Sequence, residues 1–170
     1  MFSQTANAEI LYREKYRLRR MQAQDVEQVW QVEKSVFPSP WSMDSFYLEL
    51  KNQHISRAYV VTCDQDIAAY TIVWEIGNEL HIANIAVSKE HRRKGLATFM
   101  LKYIIGMAGA KKIKTVYLEV RKSNRAAILL YKKFAFQVTG IRKNYYQAEN
   151  EDALLMTCHL EKINQNTILE

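Results

Sequence analysis

The sequence is short of the residues that several kinds of protein depend on. Two cysteines in 170 residues are too few for the disulfide framework of a small secreted domain or for a four-cysteine zinc site. Cys63 and Cys158 each lie in an apolar, strand-like run with no patterned cations beside them, which fits reduced, buried thiols and not an activated nucleophile. Only two prolines and five glycines are present, which excludes collagenous and low-complexity chains. No apolar run approaches the roughly 18 residues of a membrane span, and the first sixteen residues lack the apolar stretch and cleavage site of a signal peptide. The expected location is therefore the cytoplasm, with no membrane partner. Acidic residues are outnumbered by basic ones, giving a net charge of +6. The cations cluster at 92–94, 111–114, 121–125, 132–133 and 142–143. Such a surface attracts an anion, but charge alone does not separate a phosphate-rich cofactor from nucleic acid or an acidic protein.

The length fits one domain with one core. Residues 1–15 show no clear periodicity and are expected to form a flexible extension, with a domain over 16–162 and a tail at 163–170. Tyr16 to Met21 alternates as a first strand. Val26, Val29, Trp30 and Phe37 then repeat at helical spacing after Asp25, and Pro38 and Pro40 end that helix. Ser42 is placed to cap a second helix. Ala58–Thr62, Ile67–Ile76 and Leu80–Val87 read as three successive antiparallel strands, with turns at Asp64–Asp66 and Gly77-Asn78. From Gly95 onward, Leu96, Phe99, Met100, Tyr103, Ile104 and Met107 fall on one face of a helix. Thr115–Val120 follows as a strand, Ser123 or Asn124 starts a shorter helix, and Phe136–Ile141 and Ala153–Leu160 are the last two strands. The pattern is α/β of the mixed α+β kind: a mixed sheet covered by helices, with a strand, helix, strand crossover near its middle.

Arg92-Arg93-Lys94-Gly95-Leu96-Ala97 follows the strand end Ile85-Ala86-Val87 and opens a helix. The first amides of a helix have no partner inside it and its dipole favours negative charge, so a phosphate suits that end. Gly95 allows close approach of the backbone because it has no Cβ. On its own the hexapeptide says only that an anion binds at a helix start.

The stretches NIAVSKEHRRKGLATFML and LEVRKSNRAAILLYKKFAF, followed by YY and EDALLM, with FPSPWS at Phe37 to Ser42, resemble the GNAT acetyltransferase superfamily. Within it the likeness is to the RimI group of ribosomal protein alanine N-acetyltransferases and to archaeal Ard1-type N-terminal acetyltransferases, over roughly Leu18 to Leu160. The resemblance implies a GNAT fold, a mostly antiparallel sheet of about seven strands with about four helices. It implies acetyl-CoA as cosubstrate and no metal. Main-chain groups of Ile85, Ala86 and Val87 would hold the acetyl and pantetheine part, with Arg92, Arg93, Lys94, Gly95, Leu96, Ala97 and Thr98 around the pyrophosphate. Asn124 would contact the cofactor, although an asparagine there also suits a helix cap, and both roles are compatible only if Ser123 does the capping.

Acetyl transfer to an amine needs a neutral nucleophile, stabilisation of the carbonyl oxygen and a proton for the leaving thiolate. By resemblance Glu119 in YLEV is the general base, and it would serve better if burial raised its pKa. Tyr131 is the proton donor to the thiolate, although it also lies on an apolar helix stripe where a tyrosine is ordinarily core. The Val87 N–H is the candidate oxyanion donor. His81 faces the same side of its strand as Ala83, Ile85 and Val87, and Ard1-type enzymes have a histidine there as a proposed proton acceptor. Glu33, on the apolar face of the first helix, and Phe37, Trp41, Tyr145 and Tyr146 are candidates for the acceptor groove. Two positions depart from the family pattern: Ala97 replaces a glycine, and so does Ala135, where the turn must avoid a positive φ or tolerate strain.

The acceptor implied is the N-terminal amine of a protein, by resemblance the alanine terminus of the eighteenth small-subunit ribosomal protein, with no direct nucleic-acid binding. An α-amino group has a pKa of about 8 against about 10.4 for lysine, so freeing its proton near pH 7 costs roughly 3 kcal/mol less. Action on lysine or a small amine, and a non-catalytic GNAT-fold binding module, remain open alternatives at this point.

Overall fold

A computed structural model describes residues 9–162. The expected tail at 163–170 and the first eight residues lie outside the described residues. Among the described residues there are eight strands: β1 (Ile10–Tyr12), β2 (Tyr16–Arg20), β3 (Ser56–Cys63), β4 (Asp66–Ile76), β5 (Glu79–Val87), β6 (Thr115–Arg121), β7 (Gln137–Tyr146) and β8 (Glu151–His159). Four helices accompany them: α1 (Val26–Val36), α2 (Met43–Lys51), α3 (Leu96–Ala110) and α4 (Arg125–Lys133). The strands join in one sheet in the order β1-β2-β3-β4-β5-β6-β8-β7. β5 and β6 run parallel, with α3 as the crossover between them. The pairs β1/β2, β2/β3, β6/β8 and β7/β8 are antiparallel.

β1 lies within the stretch 1–15 in which the sequence shows no clear periodicity. Ile10, Leu11 and Tyr12 pair with Leu18, Arg17 and Tyr16. Three residues are too few to show alternation. The turn between the strands places Arg13 at φ 50° and Glu14 at φ 61°, without the glycine or asparagine that announces such a turn. β7 also runs past the expected Ile141, because register shifts between Val138 and Gly140 and between Arg142 and Tyr146 break the period of two that a regular strand shows.

The helix ends follow local chemistry. Phe37 is extended (φ −109°, ψ 135°) because proline at 38 disfavours the helical conformation before it. The Ser42 hydroxyl accepts the Ser45 N–H at 3.1 Å and caps α2. The buried stripe of α3 is Leu96, Met100, Leu101, Ile104, Ile105 and Ala108, rotated from the expected one; Phe99, Tyr103 and Met107 are half-buried. α3 is apolar on most faces, so periodicity set its identity but not its angle. Ala135 has φ +61°, so the turn after α4 takes on strain of about 1–2 kcal/mol where glycine would not.

The described residues pack as two compact units. One holds the chain to Val73 together with Asn84–Met100, the other Trp74–Ala83 with Leu101 onward, so that β4, β5 and α3 contribute to both. The first has its own core of Leu18, Val29, Phe46, Val60, Tyr70 and Ile72, the second of Leu80, Ile104, Val116, Leu118, Phe136 and Met156. Among the described residues no helix is long and apolar enough to cross a membrane.

Candidate active site

In the first unit, the end of β5 and the loop before α3 gather the expected anion-binding residues. Ala86 is buried, with Ile85 and Val87 half-buried on the other face of the strand. The Arg92 Nε donates to Val87 O at 3.4 Å and ties the loop to the strand end. Arg93 has φ 59° and Gly95 φ 84°, on either side of Lys94. Alternation of this kind turns successive backbone N–H groups toward one concavity. Phe99 N–H donates to Gly95 O at 2.9 Å and begins the helical ladder. The amides before it lie where no carbonyl of the helix can reach them. Arg92 and Arg93 are exposed, and Lys94, Gly95, Ala97 and Thr98 half-buried, while Leu96 is in the core. Three cations and a set of outward amides are a donor set that fits a diphosphate.

Glu33 lies in the same unit, on α1, and is 1% exposed. Its carboxylate accepts the Trp41 N–H at 2.8 Å and the Tyr70 hydroxyl, and the Asn84 side-chain amide lies 3.4 Å from both oxygens. Burial pushes its pKa up against the opposing hydrogen bonds of Trp41, Tyr70 and Asn84. This differs from an open groove position: Glu33 holds the main chain of the Phe37–Trp41 loop, and Phe37 and Trp41 are the half-buried side chains that loop carries. The Trp41 ring packs on Phe46 at 5.7 Å between centroids.

In the second unit, β5 and β6 bring His81 and Glu119 together. His81 is in register with Tyr117, so Glu119, two residues on, projects from the same face. The His81 Nε2 is 2.5 Å from Glu119 Oε2, and the other oxygen meets Arg142 Nη2 of β7 at 3.3 Å. The Glu119 side chain is only 8% exposed. The Trp74 ring stands edge-on to the imidazole at 5.2 Å. The ladder between the two strands runs from Glu79–Thr115 to Ile82–Leu118. Burial raises the Glu119 pKa, yet the His81 hydrogen bond and the charges of His81 and Arg142 outweigh it, and the net value lies below the ordinary glutamate range. The condition under which Glu119 would be a stronger base, a pKa raised by burial, is not met: it is held as a carboxylate.

Tyr131 on α4 is 6% exposed and its ring lies 5.8 Å from Phe136. Burial drives its pKa well up, with the neighbouring Tyr146 adding to it, so the phenol stays protonated. Asn124 itself caps α4, its Oδ1 accepting the Ala127 N–H at 3.1 Å. Ser123 does not cap; its N–H donates to Glu151 at 2.7 Å. A cofactor contact by Asn124 is therefore left to its amide N–H groups. Tyr146 is half-buried beneath Arg121, whose guanidinium lies 3.7 Å from the ring centroid and also meets Glu149 at 3.2 Å and Glu151 at 3.4 Å. Burial raises the Tyr146 pKa to about 12. Tyr145 is exposed and stands edge-on to Tyr146 at 5.1 Å.

Arg142, Tyr70, Asn84 and Trp74 were not singled out by sequence reasoning. Asn84 carried a signal, as the one polar residue inside IANIAV. Arg142 was visible only as part of a charged pair.

The sequence model of the Acetyltransferase (GNAT) family matches residues 26–136. A Bacillus subtilis (strain 168) protein, named provisionally as a ribosomal protein bS18-alanine N-acetyltransferase, is 39% identical over 139 residues, 82% of this chain and 92% of its own. An N-alpha-acetyltransferase of Sulfurisphaera tokodaii is 31% identical over 160 residues, covering 85% of this chain and 93% of its own. The crystal structure of the ribosomal-protein-S18-alanine N-acetyltransferase from Escherichia coli superposes with a TM-score of 0.80 at 28% identity, over 89% of this chain and 97% of that one. The strand-to-helix anion loop, the paired carboxylate on β6 and these likenesses agree: the chain belongs to the acetyltransferase (GNAT) family.

Proposed function

We propose that this chain works in the cytoplasm and transfers the acetyl group of acetyl-CoA to the N-terminal α-amino group of a protein, with the alanine terminus of ribosomal protein bS18 as acceptor. The observation that carries the reading is Glu119, a shielded carboxylate kept ionised between an imidazole and a guanidinium. The names of two relatives supply the acceptor. An α-amino group near pKa 8 is the amine that a weak carboxylate base frees at least cost.

Bound acetyl-CoA supplies the thioester carbonyl that the amine attacks and the thiolate that leaves. Arg92 to Thr98 hold its diphosphate, the main chain of Ile85, Ala86 and Val87 holds its acyl end, and the Asn124 amide adds a donor. The Val87 N–H is assigned to the carbonyl oxygen, a kind of contact that contributes about 2.7–4 kcal/mol in other enzymes. Glu119 binds the acceptor ammonium and takes its proton, directly or through water, with His81 holding the carboxylate in place. Tyr131 gives its proton to the thiolate. Phe37, Trp41, Tyr145 and Tyr146 are assigned to the acceptor peptide, with Glu33 positioning Trp41.

Mass mapping of products from peptides beginning with Ala, Ser, Met or Gly tests this. The Ala peptide should gain one acetyl group at its first amine, and the same peptide blocked there should gain none. Acetylation confined to internal lysine would overturn the N-terminal assignment.

A further inference from the structure

The anion loop has a neighbour that the family match, which begins at residue 26, does not supply. A Cβ placed on Gly95 would lie 2.5 Å from the Tyr12 hydroxyl and 3.7 Å from an Arg13 guanidinium nitrogen. Two donors of the β1–β2 hairpin therefore converge above the one residue of the loop that has no side chain. Gly95 is required here twice over, by its φ of +84° and by the closeness of Tyr12.

We infer that the N-terminal hairpin is part of the cofactor site, with Tyr12 and Arg13 donating to a phosphate held at Arg92–Gly95. The inference rests on the acetyl-CoA reading above and extends it to residues before the matched segment. Both side chains are held in place. The Tyr12 ring stacks on Phe99 at 4.5 Å and 13°, and the Arg13 guanidinium lies over the Tyr12 ring at 5.2 Å. The hairpin is anchored a second time where the Tyr16 hydroxyl meets His91 Nδ1 at 3.2 Å. The Tyr12 hydroxyl reaches Lys94 O at 3.5 Å, long enough to leave its proton free for a better acceptor. A phosphate oxygen is such an acceptor, and a guanidinium fork matches phosphate better than an ammonium does. Arg13 would add a cation to Arg92, Arg93 and Lys94. The nearby acids Glu14 and Glu90 carry opposing charge, and Glu9 is paired with Arg17 at 3.1 Å.

Calorimetric titration of the full chain with CoA, and with S-acetylpantetheine as a phosphate-free probe, tests this. Arg13→Gln should weaken CoA about tenfold and Tyr12→Phe, which keeps the ring stack, about threefold. Arg13→Lys should fall between Arg13→Gln and the unmodified chain. S-acetylpantetheine binding should stay the same in all of them, and unliganded melting temperatures of the variants separate lost contacts from lost fold. CoA binding by Arg13→Gln within twofold of the unmodified chain, or tighter than it, would overturn the hairpin's role while leaving the cofactor reading intact. Failure of the unmodified chain to bind CoA would remove the cofactor reading itself.

Discussion

Glu33 and Glu119 are both shielded from solvent, one 1% exposed and the other with 8% of its side chain exposed, yet their acidities move in opposite directions. The donors around Glu33 are neutral: a backbone N–H, a phenol and an amide. They reduce the penalty of burial without reversing it, and the pKa rises. Glu119 meets an imidazole and a guanidinium, and opposite charge close by outweighs the same penalty. Burial alone does not say what a carboxylate is for. The charge of its partners says more: Glu33 is a pin for a loop, and Glu119 is held as an anion.

The largest effect expected from breaking this contrast is on rate. Glu119→Gln keeps the shape and removes the charge, and kcat/KM should fall by about 10² to 10⁴. Steady-state kinetics at neutral pH checks it, with partial recovery at high pH where the amine loses its proton unaided. An unchanged rate would remove Glu119 as base. Glu33→Ala should act on stability instead. It strands the Trp41 N–H, the Tyr70 hydroxyl and the Asn84 amide, at about 1–3 kcal/mol for each buried group left unsatisfied, and denaturant unfolding should show a loss of about 3 kcal/mol.

The next test uses pH. Glu119 has a lowered pKa in the folded chain, so its contribution to stability is present above the ordinary value of about 4.3 and is lost as pH falls through the lowered value. For Glu33 the folded value is raised, so its ionisation costs stability as pH rises from the ordinary value through the folded one. Unfolding free energies of Glu119→Gln and Glu33→Gln, each subtracted from those of the unmodified chain across pH 3–7, should slope in opposite directions. Slopes of the same sign would mean that one of the two environments has been misread.

This contrast was only partly legible in the sequence. Local chemistry announced the elements that repeat or are capped: Ser42 before α2, the prolines after α1, the two-residue turns that join β3 to β4 and β4 to β5. Glu119 was legible only through the family resemblance of YLEV, and His81 through that resemblance and the period-two face it shares with Ala83, Ile85 and Val87. Their pairing depends on the register His81–Tyr117 across a parallel crossover, which no local pattern encodes. Arg142 is further hidden, since β7 reaches Glu119 after a bulge that destroys its alternation. Glu33 reads from sequence as a polar residue on an apolar face, and only the fold reveals that Tyr70 and Asn84 are waiting for it. Tyr12 lies in a strand of three residues, too short to announce itself.

The smallest effect comes from the most exposed member of the Glu119 cluster. Arg142 has 54% of its side chain exposed and lies 3.3 Å from the carboxylate, so water and salt screen much of its charge. Arg142→Gln should change stability by less than about 1 kcal/mol. Its effect on chemistry should still be readable, because one of the two side chains that hold the Glu119 pKa down is gone. The carboxylate then titrates higher, and the acid limb of the kcat/KM profile should move to higher pH. Raised ionic strength should move the limb of the unmodified enzyme the same way and that of the variant less. A limb that stays in place in the variant would assign the lowering of the Glu119 pKa to His81 alone.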